Sequence, residues 1–148
     1  MRAWGIAVAL LLALPISAQA QSVQDVFRNF GLIGVWASAC NQPPDIESGN
    51  PQAIYARSSS DAVMLTYDYG ARHRAAVYTI VSAQPAGRDQ VSYVEERLHD
   101  KARLTVTVLR LRDQISVVSA VGPDGRAFVE NGRIVATGQP TPQQVRCQ

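Results

Sequence analysis

The chain has 148 residues, 14 basic against 12 acidic side chains, and a formal net charge of +2 at pH 7. That near-neutral balance argues against nucleic acid as a partner, because nucleic-acid binders concentrate basic charge on one face. Hydrophobic residues make up 47% of the chain, enough for a globular domain with a real core.

The N-terminus, MRAWGIAVALLLALPISAQA, carries an early charge at Arg2, an apolar run from Ile6 to Ile16 and the small-residue pattern Ala18-Gln19-Ala20. This layout predicts a secretory signal peptide over residues 1–20, cleaved after Ala20. The run falls short of the roughly 18 to 20 apolar residues that a spanning helix needs, so no membrane span is expected. The expectation is a periplasmic or secreted protein whose mature part, residues 21–148, forms one domain and acts as a monomer.

Residues 22–30, SVQDVFRNF, put Val23, Val26, Phe27 and Phe30 at helical spacings of three and four. Ser22 is an N-cap candidate, Asp25 sits three residues later, and Gly31 stops the helix. From Leu32 onward the pattern changes to short strands: 33–38, 52–58, 62–68, 74–83, 90–98, 102–112, 114–121, 126–130 and 132–137. Turn residues separate them, including Pro85-Ala86-Gly87, Gly122 to Gly125 and Asn131-Gly132. Asn-Gly suits a two-residue type I′ hairpin, where both central positions need positive φ. Strands at this spacing, with no helices between them, predict an antiparallel sheet in chain order.

Within 102–112, Leu104, Val106 and Val108 alternate with Thr105 and Thr107, and then Leu109 and Leu111 take the opposite parity around Arg110. A period of two allows such a switch only through an inserted residue, so a β-bulge is expected near Val108. Closing eight or nine such strands into a barrel removes the exposed edges. The expected fold is therefore all-β, a small antiparallel up-and-down barrel of about eight strands with a short N-terminal helix. The polar tail 138–144 is expected to run extended over the surface. The chain has two cysteines, Cys40 and Cys147, and an exported even pair is normally bridged. A loop of this length gives roughly 4.7 kcal/mol in the chain-entropy treatment.

Gly34 and Trp36 form a Gly-x-Trp element just after the helix, which resembles the lipocalin and calycin pattern. That resemblance implies an eight-stranded barrel with the tryptophan as a plug under its closed end. It also implies a helical turn over the same end and a disulfide pinning the C-terminal tail. The stretch GVWASACNQPP, with the residues up to about 70, is also similar to a group of small exported bacterial proteins.

Little in the sequence points to catalysis. His73 and His99 are the only histidines, whereas a metal site usually takes three or four ligands, so no metal and no cofactor is expected. There is no G-x-S-x-G elbow and no glycine-rich phosphate loop. Glu95 and Glu96 are adjacent on a strand and face opposite ways, so they cannot form an acid/base pair. The chain is not expected to be an enzyme. If the barrel binds a ligand, the lining candidates are Val63, Leu65, Tyr67, Tyr78, Ile80, Leu104, Val106 and Val108, which can equally be plain core. With few charges able to reach the interior, the expected ligand is a small apolar molecule, unless the protein is a structural accessory of the envelope. The competing expectation is a periplasmic protein-binding module, such as an inhibitor of a lysozyme-type hydrolase. It would use the exposed arginine loop 71–74 and the Gly122–Gly125 turn.

Overall fold

A computed structural model describes residues 21–147; the expected signal peptide lies outside the described residues. The elements are α1 (Val23–Phe30), β1 (Gly34–Ala37), β2 (Gln52–Arg57), β3 (Val63–Asp68), β4 (Ala76–Pro85) and β5 (Gln90–Arg97), followed by β6 (Arg103–Leu111), β7 (Gln114–Val121), β8 (Ala127–Glu130), β9 (Arg133–Ile134) and β10 (Gln144–Arg146). Among the described residues, no helix is long and apolar enough to cross a membrane.

The helix forms where its caps and periodicity place it. Ser22 accepts a hydrogen bond from the Asp25 amide at 3.1 Å, satisfying one of the free donors of the first turn. At the other end Gly31 takes φ 71°, and Leu32 N–H donates to the Phe27 carbonyl at 2.9 Å, a left-handed stop that glycine adopts without strain.

The strands β1 to β7 pair antiparallel in chain order, and β10 pairs with both β1 and β7. The sheet is thereby a closed antiparallel barrel of eight strands, a shape compatible with a lipocalin-like fold. The hairpin β8–β9 stands outside the closed ring, attached to the far half of β7 through Ala120↔Val129 and Val121↔Ala127. Asn131 and Gly132 turn that hairpin with φ 51° and 71°, as the Asn-Gly pair demands.

Two expectations are corrected. The tail does more than cross the surface: Gln144 to Arg146 form the closing stave, pairing Trp36↔Arg146 and Ala37↔Val145 on one side and Gln144↔Ile115 on the other. Three residues carry no readable period, and the pairing comes from the two sheet edges that face each other there. The bulge falls at Val108 as expected, but its extra residue is on the neighbouring strand. β6 pairs with β5 without interruption through Leu109, and the extra residue is Val118 on β7, between the pairs Thr107↔Ser119 and Val108↔Val117. Arg110 keeps the inward parity of Leu104, Val106 and Val108, while Leu111 is exposed. Its guanidinium is usable inside because Nη1 donates to the Phe30 carbonyl at the end of α1, at 2.7 Å.

The helix end of the barrel is filled. Phe27, Leu32, Trp36, Val63, Leu65, Val91, Tyr93 and Val108 are fully buried there or just beneath. Phe27 packs against Tyr55 and Tyr93 with ring centroids 5.6 and 5.3 Å apart. Trp36 is the plug: it is fully buried, and its indole Nε1–H donates to the Leu32 carbonyl at 2.8 Å, which lets a polar aromatic sit in a core. Cys40 and Cys147 form the disulfide. Beside it, the Cys147 amide donates to the Val35 carbonyl at 2.7 Å, so covalent and backbone bonds hold the C-terminus against β1.

Candidate functional site

The other end of the barrel is hollow. A cavity of about 400 Å³ opens between the walls there. Tyr55, Tyr67 and Tyr69 line one side, and Leu104, Val106 and Val108 of β6 with Ile115, Val117 and Ala120 of β7 line the other. Val129 and Ile134 of the outer hairpin and Pro142 of the tail form the rim. A wider depression outside the barrel is lined by Gln24, Ile33, Ile54 and Arg57, but the Gln24 amide there is already bonded to the Ser58 and Ala62 carbonyls.

The eight sequence candidates divide between the two ends. Val63, Leu65, Ile80, Val106 and Val108 belong to the buried core, and Tyr67, Tyr78 and Leu104 pack against it. Tyr67, Leu104, Val106 and Val108 line the cavity. Val63, Leu65 and Ile80 do not, because α1 packs onto β3 and β4 and fills their end of the barrel. Tyr78 also stays outside the lining; its ring meets Tyr67 edge-on at 5.7 Å and braces it from behind. The remaining tyrosine, Tyr69, stacks on Tyr67 at 6.3 Å.

One charged residue lines the cavity, against expectation. Glu95 lines the cavity and is only 3% exposed, while Glu96 points outward and is held by Arg103 at 2.7 Å and Lys101 at 3.3 Å. The opposite facing of the two carboxylates follows from strand alternation. Its consequence was readable in QVSYVEER: Val91 and Tyr93 point inward, so Glu95 does too. Across the sheet Glu95 pairs with Ile80 on β4 and Leu104 on β6, which offer no hydrogen bond. Its Oε2 is buried with no hydrogen-bond partner among the described residues. Burial disfavours the ionised form and pushes the carboxyl up to about 7, with Arg97 pulling the other way.

Several other polar groups in and beside the lining have partners. The Tyr55 and Tyr93 hydroxyls lie 3.0 Å apart, Thr141 Oγ1 donates to the Val117 carbonyl at 2.7 Å, and the Gln144 amide donates to the Pro51 carbonyl at 3.3 Å. Burial raises the hydroxyls of Tyr55, Tyr67, Tyr69 and Tyr93, and the Glu95 charge raises each further. The carboxyl therefore sits within electrostatic reach of all four rings. Among the described residues, no group of three or more His, Cys, Asp or Glu side chains could hold a metal ion. The arrangement is an apolar, tyrosine-rich chamber with one free carboxyl.

His73 and the arginine loop lie elsewhere: Arg72 and His73 both face Glu47 on the β1–β2 connection. Comparison with known protein families, with curated proteins and with solved structures gives no match to this chain.

Proposed function

We propose that the protein is an exported, non-catalytic binding protein that holds a small, largely apolar molecule inside the open end of its barrel. The observation that carries this reading is the cavity of about 400 Å³ with its aliphatic and tyrosine walls. Ligand sites run from roughly 300 to 1,000 Å³ and combine such walls with a few placed polar groups. A disulfide between the two cysteines supports an oxidising compartment as the place of work. Native mass spectrometry of protein purified from its own envelope tests the reading: a small-mass adduct that organic extraction removes is expected. Uniformly ligand-free protein bound to a second polypeptide would overturn it.

That second polypeptide is the competing reading, a module that presents a loop to a partner protein such as a hydrolase. The feature that favours it is Phe128, 45% exposed, with the Arg126 guanidinium 5.4 Å from its ring centroid. Both sit beside the Gly122–Gly125 turn, and such aromatic and arginine pairs are enriched at interfaces.

A further inference from the structure

We infer that Glu95 is a ligand-binding carboxylate and that the molecule held in the cavity carries a cationic nitrogen, an ammonium group on an apolar body. The inference rests on the cavity reading above and adds the class of ligand.

The first ground is the missing partner. Burying a carboxyl without compensation is costly, and a glutamine or leucine at this position would avoid that cost. The chain holds two arginines that could have reached it on inward-facing positions, and both are engaged elsewhere. Arg97, two residues along β5, gives its Nε–H to Asp100 Oδ1 at 3.0 Å. Arg110 gives Nη1 to the Phe30 carbonyl at the opposite end of the barrel. Neither guanidinium hydrogen-bonds the Glu95 carboxyl, and Arg97 acts on it only through its charge, so the place of a direct cationic partner is left to the occupant of the cavity.

The second ground is the surroundings. Tyr55, Tyr67 and Tyr69 share the lining with Glu95. Aromatic faces attract cations as well as apolar groups. Opposite them the walls are Leu104, Val106 and Ala120, which suit an alkyl or aryl body. An anionic ligand would meet the like charge of Glu95, and no cationic side chain lines the cavity to bind it.

The titratable groups facing Glu95 are Tyr55 on β2, Tyr67 at the end of β3 and Tyr69 just beyond it, Tyr78 on β4, and Tyr93 and Arg97 on its own strand. All five tyrosines are raised above their ordinary value and stay neutral near pH 7. Of these groups only Glu95 changes charge in that range, so binding of an ammonium should strengthen from about pH 5 to about pH 8.

The test is calorimetric titration of the oxidised mature protein at about pH 8 with octylamine, octanol and octanoic acid, which share a chain and differ in the head group. Octylamine should bind about tenfold or more tighter than octanol, and octanoate weakest, as expected for one charge-assisted hydrogen bond. Glu95→Gln should weaken octylamine about tenfold and so remove most of its advantage over octanol. Octanol or octanoate binding as tightly as octylamine would overturn the ammonium assignment and leave the cavity reading standing. Failure of all three to bind would overturn both. The wild-type comparison decides the matter even where the variant proves unstable.

Discussion

Because the Glu95 carboxyl holds its proton up to about 7 when folded, against 4.5 for an unburied glutamate, folding and pH are linked through it. Below about pH 4.5 both states carry the proton. As pH rises the unfolded chain releases its proton first, so stability falls until the folded carboxyl ionises near 7 and is level above. The loss across that window is roughly 3 kcal/mol. Glu95→Gln should flatten this segment and be the more stable protein at about pH 8. Urea midpoints measured at both ends of the window check this, and parallel pH profiles would contradict it. Glu96 and Asp100, whose carboxyls are lowered by Arg103 and by the Ala102 amide, act in the opposite sense and below the window. Trp36 offers a second test at this scale. Trp36→Ala should cost roughly 3–5 kcal/mol. Trp36→Phe should cost less, mainly by leaving the Leu32 carbonyl unpaired.

Most elements were legible because their patterns are long. The strands from β2 to β8 lie within about two residues of the runs of alternating apolar residues, and α1 follows its caps. Two features were not, for reasons that lie outside local pattern. Leu109 and Leu111 read as a change of face, yet they are outward aliphatics, and Arg110 between them is an inward cation whose partner, the Phe30 carbonyl, lies 80 residues earlier. Arg110→Met should preserve the inward stem but orphan that carbonyl, costing about 1–3 kcal/mol. Faster amide exchange in α1 than in β6 would locate the loss; equal protection in wild type and variant would refute it. The closing strand β10 is the other case, too short to carry a period and held by pairing on both edges and by the disulfide. Reducing Cys40–Cys147 should cost about 2–5 kcal/mol and expose the amides of β10 to exchange before those of β4 and β5.

At the scale of the molecule, the barrel is packed solid under α1 and hollow at the other end. That division was not legible in the sequence. The alternation of Val63, Leu65, Ile80, Leu104, Val106 and Val108 shows which way a side chain points, not how far along the barrel the helix and Trp36 reach. The lining also draws on residues distant in the chain, from Pro51 to Gln144, so it exists only once the ring closes. Small barrels can fill their interiors or keep room for one ligand, and here both occur in one ring. Ala120, a small residue in the cavity wall paired with Val106 and Val129, is the place to test this. Ala120→Trp should fill much of the void. Calorimetric titration of octylamine into wild type and this variant is the decisive measurement, with the thermal midpoint of each recorded alongside. A single saturable site in the wild type, lost in a variant that still melts cooperatively, is the predicted result. Saturable binding that survives Ala120→Trp unchanged, or none in the wild type, would contradict a ligand held inside the barrel.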